Sequence, residues 1–124
     1  MQHSPGFLKL VDQARAGVKE ITVDQARQVL ALNPCAVLLD VREDSEWAVG
    51  HAAEAVHLGK GILERDLEGL YPDPETEIIM YCGGGYRSAL SCDAAQQMGY
   101  RKVRSLIGGY KALSQAGWPM SQGG

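Results

Sequence analysis

The stretch Ile78-Ile79-Met80-Tyr81-Cys82-Gly83-Gly84-Gly85-Tyr86-Arg87-Ser88-Ala89-Leu90 passes from an apolar run, through three glycines, into small and apolar residues at helical spacing. The apolar run of residues 78–81 is typical of a strand that is buried on both faces of a parallel sheet. A helix is expected over residues 87–98, and Gly99 is a natural helix end. Because functional sites in such sheets collect beyond the carboxyl ends of strands, we expect Cys82 to lie at a site.

The rest of the chain alternates in the same way. Further strands are expected over residues 21–23, 36–41, 55–58 and 103–107, and further helices over residues 5–16, 24–33, 43–49, 62–70 and 109–116. Ser4 is the expected N-cap of the first helix, and Asp24 that of the second. This alternation predicts an α/β fold with a mainly parallel central sheet of about five strands and helices on both faces.

The chain has 124 residues, the length of one ordinary globular domain, and no repeat or linker-like tract divides it. We expect an N-terminal helical extension over residues 1–20 and a single domain over residues 21–120. The net charge of -3 argues against nucleic-acid binding. Residues 1–20 do not have the pattern of a signal peptide. We therefore expect a cytoplasmic protein that binds neither nucleic acid nor membranes.

Three cysteines occur, at spacings that fit neither a zinc site nor a two-cysteine redox motif. Cys35 and Cys92 are expected to be buried packing residues. The alternative for Cys92 is a resolving thiol for Cys82, which would require the helix to fold back near the loop.

The loop after Cys82 has the properties of an anion cradle, because backbone N–H groups can converge where a glycine-rich loop meets a helix N-terminus. The same field favours thiolate over thiol, and Arg87 supplies a planar positive charge. The candidate site residues are Cys82 as the nucleophile and Gly83, Gly84, Gly85, Tyr86 and Arg87 around the bound group. The alternative is a flexible glycine turn beside a packing cysteine.

Several segments resemble the rhodanese family, in particular its single-domain sulfurtransferases, in the family's order. They are Leu39-Asp40-Val41-Arg42, then Glu46 and Gly50-His51, then the loop of residues 81–89, and finally residues 106–110 and 116–119. The resemblance runs from about residue 22 to residue 118. It implies that Cys82 takes the outer sulfur of a donor such as thiosulfate as a persulfide and passes it to a thiol or to cyanide.

The resemblance also implies the surroundings of this chemistry. Backbone N–H groups of residues 83–87 would hold the terminal sulfur, and Arg87 would add positive charge or fix the end of the loop. No cofactor and no metal are implied, and a sulfur-relay protein is an additional candidate partner. Asp40 and Arg42 are expected to form a structural ion pair, and His51 and His57 to be structural, since a reactive thiolate needs no histidine base.

Two other functions use similar parts. Cysteine phosphatases and arsenate reductases place five residues between cysteine and arginine, whereas only four separate Cys82 from Arg87. This shorter loop suits a sulfur atom better than a phosphate. A non-catalytic or persulfide-carrying module that acts with a protein partner is the second alternative, and Tyr86 at the loop tip is a candidate for screening acceptors.

Overall fold

The computed structural model describes residues 2–123. The helices are α1 (Pro5–Arg15), α2 (Val23–Leu32), α3 (Asp44–Val49), α4 (Leu63–Leu70), α5 (Tyr86–Gln97) and α6 (Gly109–Gln115), and a short 3-10 helix spans Lys60–Ile62. The strands are β1 (Lys19–Ile21), β2 (Val37–Asp40), β3 (His51–Ala52), β4 (Val56–His57), β5 (Ile78–Tyr81), β6 (Val103–Leu106) and β7 (Met120–Ser121).

Five strands form one sheet in the order β1-β6-β5-β2-β4, and all neighbouring pairs in it are parallel. β3 and β7 form a separate antiparallel pair. This confirms the α/β fold with a parallel sheet of five strands. β5 lies at the centre of that sheet, so the loop after Tyr81 opens at the middle of its carboxyl edge.

Alternate residues of β5 face opposite layers of helices. Ile78 and Met80 belong to a core cluster with residues of α4 and α5, and Ile79 and Tyr81 belong to a second cluster with residues of α2 and α6. All four strand residues are fully buried, and burying a side chain such as isoleucine contributes about 1.5–3 kcal/mol. The continuous apolar run is therefore explained by helices on both faces, as predicted.

The start of α2 differs from the expectation by two residues. Thr22, not Asp24, is the N-cap, because its Oγ1 accepts from the N–H of Gln25 at 3.2 Å and Gln25 Oε1 accepts from the N–H of Thr22 at 2.8 Å. This reciprocal pair satisfies two amides at once, which a cap at Asp24 would not do. Ser4 caps α1 as predicted, with its hydroxyl accepting from the N–H of Phe7.

Helix α1 packs against α5 from outside the sheet. Val11 and Ala14 of α1 and Ala89 of α5 are buried in a third cluster. The residues before β1 therefore share a core with the helix that follows Cys82. The division of the chain at residue 20 stays a prediction.

The three cysteines have different environments. Cys92 is fully buried in α5, as predicted, and burial raises the pKa of its thiol. The expectation for Cys35 is wrong, because this residue is exposed. It lies in the turn between α2 and β2, where its N–H donates to Asn33 Oδ1 at 3.0 Å, and this turn directs it away from the core. Within residues 2–123, none of the helices is both long and apolar enough to cross a bilayer.

Candidate active site

The sulfur of Cys82 lies inside the loop that joins β5 to α5. Its Sγ accepts hydrogen bonds from the backbone N–H groups of Gly85 at 3.1 Å and Ser88 at 3.3 Å. Cys82 is only 1% exposed. Ser88 is in the first turn of α5, where backbone N–H groups have no acceptor inside the helix. The sulfur of Cys82 serves as the acceptor for the N–H of Ser88. The loop thus wraps around its own cysteine.

Gly85 gives the loop its curvature. Its φ is +97°, and an added Cβ would lie 3.3 Å from both the amide nitrogen of Gly108 and the carbonyl oxygen of Leu106. Its own carbonyl accepts from Arg15 Nη2 at 3.3 Å, and the same guanidinium lies 4.8 Å from the ring centroid of Tyr86. Arg15 is the last residue of α1, so this helix holds the loop from behind.

Two buried hydroxyl groups lie beside the sulfur. Ser88 Oγ is 3.6 Å from Cys82 Sγ and 2.7 Å from Ser105 Oγ, and both serines are fully buried. A hydroxyl can donate and accept at once. When the sulfur is anionic, Ser88 can donate to it while accepting from Ser105. Nothing in the sequence indicated Ser105, which comes from β6.

The start of α6 holds the first residues of the loop. The N–H groups of Tyr110 and Lys111 donate to the carbonyls of Cys82 at 2.7 Å and Gly83 at 3.2 Å. Gly109 has a φ of +54°, and a Cβ there would collide with the carbonyl group of Cys82. The glycines of residues 106–110 are therefore needed for this close approach of two backbones.

Arg87 is paired rather than free. Its Nη1 and Nη2 donate to Glu46 Oε1 at 2.6 Å and Oε2 at 3.0 Å. The hydrogen bond from Arg87 lowers the pKa of Glu46, and Glu46 in turn raises the pKa of Arg87. A two-pronged ion pair of this kind fixes the guanidinium in place. Of the two roles expected for Arg87, the geometry favours fixing the end of the loop over supplying an unpaired charge.

Asp40 and Arg42 form the expected ion pair at the carboxyl end of β2. Arg42 Nε and Nη2 donate to Asp40 at 3.0 and 2.8 Å, and Arg42 Nη2 also donates to the carbonyl of Gly50 at 2.6 Å. Burial acts to lower the pKa of Arg42, but the hydrogen bonds and charge of Asp40 outweigh it and the pKa is raised. Burial, followed by the proximity of Asp40, raises the pKa of Tyr81, whose phenol accepts from the N–H of Ala52 at 3.1 Å. This network joins three segments below the loop.

Both histidines near this edge bond to backbone carbonyls. His51 Nδ1 lies 3.0 Å from the carbonyl oxygen of Trp47, and His57 Nε2 lies 2.9 Å from that of Arg42. Because a carbonyl only accepts, these nitrogens carry the hydrogens. Both rings also stack on Trp47. These contacts agree with structural roles.

A pocket of about 940 Å³ opens over Cys82. The predicted loop residues line it, except Gly85, which lies behind them. Six other lining residues come from segments far away in the sequence, namely Gln2, His3, Ser4, Phe7, Glu46 and Lys111. Glu46 was among the residues that carried the family resemblance. The sequence gives no signal for the other five, because only the packing of α1 and α6 brings them to the loop.

Known proteins are similar to this chain in sequence and in fold. Residues 22–116 match the model of the Rhodanese-like domain family. A sulfurtransferase from Allochromatium vinosum is 30% identical over 103 residues, which cover 83% of this chain and 94% of that protein. A solved human single-domain sulfurtransferase is 27% identical with a TM-score of 0.71, covering 80% of this chain and 97% of that one.

A second solved protein, from Rhodopseudomonas palustris, is described as of unknown function and a possible tyrosine phosphatase. It is 25% identical with a TM-score of 0.77, and 98% of each chain is covered. The family match spans most of the sequence described above, including the loop at Cys82. The chain belongs to the rhodanese-like domain family.

Proposed function

We propose that the chain is a sulfurtransferase in which Cys82 carries a sulfane sulfur as a persulfide. The position of Cys82 Sγ supports this proposal most directly. It accepts hydrogen bonds from two backbone N–H groups at the start of α5, a helix of 12 residues. These donors and the helix dipole stabilise negative charge on the sulfur. Anionic sulfur is the nucleophile that covalent sulfur transfer needs. The names of the Allochromatium and human relatives agree with this chemistry.

The reaction has two half-reactions. The Cys82 thiolate attacks the outer sulfur of a donor such as thiosulfate, whose S–S bond breaks with the electron pair leaving on sulfite. The transferred sulfur is then the negatively charged end of a persulfide. Cyanide attacks that sulfur and leaves as thiocyanate, which restores the thiolate. A thiol acceptor, on a small molecule or on a relay protein, passes its proton to the transferred sulfur and leaves as a persulfide.

The loop residues have separate roles in this proposal. Gly85 and Ser88 hold Sγ itself, so the remaining N–H groups of residues 83–87 are assigned to the outer sulfur. The pair of Arg87 and Glu46 fixes the end of the loop. Asp40 and Arg42 hold the strand end below it and take no part in the chemistry.

Phosphate chemistry is the less suitable alternative. Four residues separate Cys82 from Arg87, one fewer than in cysteine phosphatases and arsenate reductases, and the cradle is correspondingly small. Arg87 already binds both oxygens of a carboxylate, Glu46, through two hydrogen bonds. A phosphate would have to displace that carboxylate to reach the guanidinium. The description of the Rhodopseudomonas protein therefore does not carry over to this chain.

Mass spectrometry of the intact protein tests the proposal. Incubation with thiosulfate or an inorganic polysulfide should add the mass of one sulfur atom to Cys82, and cyanide should remove it. Cys82→Ser should take up no sulfur, whereas Cys92→Ser, which changes the buried thiol of α5, should behave like the wild type. An unchanged mass of the wild-type protein with both donors would sink the proposal.

A further inference from the structure

The pocket over Cys82 is much larger than the inorganic ions used to assay sulfur transfer. Its volume of about 940 Å³ falls in the range of roughly 300–1,000 Å³ that is typical of sites for organic ligands. Thiosulfate and cyanide would leave most of it filled with water. The walls of the pocket therefore indicate what else it binds.

One wall is aromatic. The ring centroid of His3 lies 4.4 Å from that of Tyr86 and 5.3 Å from that of Phe7, and Phe7 and Tyr86 are 6.3 Å apart. All three side chains are half-buried and line the pocket. Tyr86 begins α5 directly after the loop, whereas His3 and Phe7 come from the start of the chain. Aromatic side chains make few favourable contacts with a small inorganic ion, but they pack well against an apolar or aromatic group of a ligand.

The remaining charges of the pocket favour an anion. Glu46 and Arg87 neutralise each other. Lys111 is exposed, lines the pocket, and has no carboxylate within 4.0 Å in the described part of the chain. Its backbone N–H donates to the carbonyl of Gly83, so its position relative to the loop is fixed. The pocket thus combines a sulfur, an apolar wall and an unpaired ammonium group.

We infer that the acceptor is an organic thiol with an aromatic or bulky apolar body and a carboxylate. The body packs on Phe7, Tyr86 and His3, and the carboxylate binds Lys111. The inference rests on the proposed function for the transfer itself. The acceptor sulfur attacks the outer sulfur of the Cys82 persulfide, the bond from Sγ to that sulfur breaks, and Sγ takes the electron pair. The thiol proton moves to the transferred sulfur, and the product is an organic persulfide.

Binding tests this specificity without any catalysis. Titration with 3-phenylpropanoate and propanoate, followed by NMR of backbone amides, compares a phenyl group with a hydrogen atom on the same carboxylate. We expect 3-phenylpropanoate to bind at least about tenfold more tightly, with shifts at Tyr86 and Lys111. Phe7→Ala should lower this preference to about twofold. Lys111→Gln should lower the affinity for 3-phenylpropanoate about threefold. Leu10→Ala, an exposed change on α1 outside the pocket, should leave both affinities unchanged.

Transfer kinetics then compare 2-mercapto-3-phenylpropanoate with 2-mercaptopropanoate on protein already loaded with sulfur. The ratio of their rates should exceed the ratio with a small persulfide in solution by about tenfold, and Phe7→Ala should lower this excess to about twofold. The ratio of the two rates does not depend on the fraction of active protein. Thermal unfolding of the variant shows whether α1 still packs against α5. Equal binding of the two carboxylates would overturn the inference whether or not Cys82 takes up sulfur. A failure to load sulfur would instead overturn the proposed function.

Discussion

The sulfur of Cys82 accepts hydrogen bonds from the N–H groups of Gly85 and Ser88. The cysteine and its glycine loop were predictable, because they are contiguous and follow an apolar strand. The hydroxyls of Ser88 and Ser105 were not, since their contact joins α5 to β6 and only folding brings them together. The pairing of Arg87 with Glu46 was missed for the same reason. Local chemistry is thus readable in the sequence, whereas its partners come from distant segments.

Replacement of Ser88 by alanine tests the hydroxyl pair. We expect sulfur loading from thiosulfate to slow by about three- to tenfold, because an anionic sulfur loses a donor. The free energy of unfolding should fall by about 1–3 kcal/mol, because Ser105 loses its partner. Stopped-flow loading and urea unfolding measure the two effects.

Ser91→Ala is the matched control in the same helix. The Ser91 hydroxyl is buried and has no hydrogen-bond partner among residues 2–123, so its removal should leave loading unchanged and stability equal or higher. If Ser88→Ala loads sulfur as fast as Ser91→Ala, the hydroxyl does not stabilise the sulfur.

At the scale of elements, most helices and strands begin and end close to the expected residues. Periodicity is a property of each segment by itself, which is why it predicted them. The start of α2 was misplaced because Thr22 and Gln25 form a reciprocal cap that outcompetes Asp24. The docking of α6 on the loop could not be predicted in detail, although the two glycines that permit it were visible in residues 106–110.

Gly109→Ala should disrupt the docking of α6 on the loop. The backbone of Gly109 has a φ of +54°, and the new Cβ would meet the carbonyl of Cys82. We expect the free energy of unfolding to fall by at least about 2 kcal/mol, since both strain and collision must be relieved. Urea denaturation measures this change.

Gly69→Ala is the corresponding control. Gly69 lies in α4, and among residues 2–123 a new Cβ there would meet no atom within 4 Å beyond its chain neighbours and the backbone of its own helix, so alanine should raise the stability by about 0.5–1 kcal/mol. A Gly109→Ala protein as stable as the wild type would show that the approach of α6 to the loop is not tight.

For the whole molecule, the sheet of five parallel strands followed from the alternation of strands and helices, but the walls of the pocket did not. They combine the start of the chain, α3, the loop with the first turn of α5, and α6. The ion pair of Glu46 and Arg87 joins two of these parts, because Glu46 belongs to α3 and Arg87 to α5. The ion pair should therefore contribute to the free energy of unfolding of the whole domain.

The stability should depend on pH through Glu46. The hydrogen bond from Arg87 lowers the pKa of Glu46 in the folded protein from its ordinary value of 4.5. A depressed carboxyl pKa stabilises the fold above the unfolded value, and this stabilisation is lost as the pH falls through the folded value. The urea midpoints of wild type and Glu46→Gln should differ at pH 6, begin to converge as the pH falls below about 4.5, and meet only below the lowered pKa of Glu46. Glu68→Gln, an exposed change in α4, is the control, and a difference between wild type and Glu46→Gln that stays constant with pH would contradict the assignment.

The strand order has a consequence for how the protein folds. β1 is made early, and its partner in the sheet is β6, which is made late. The first helix and strand must therefore wait, unpaired with the sheet, until most of the chain has emerged, and contacts this distant in sequence form slowly. The aromatic side of the pocket and the N–H groups of α6 that bind the carbonyls of Cys82 and Gly83 arrive in this last stage. The pocket over Cys82 is therefore complete only after the segments before β1 and after β6 have both packed against the loop.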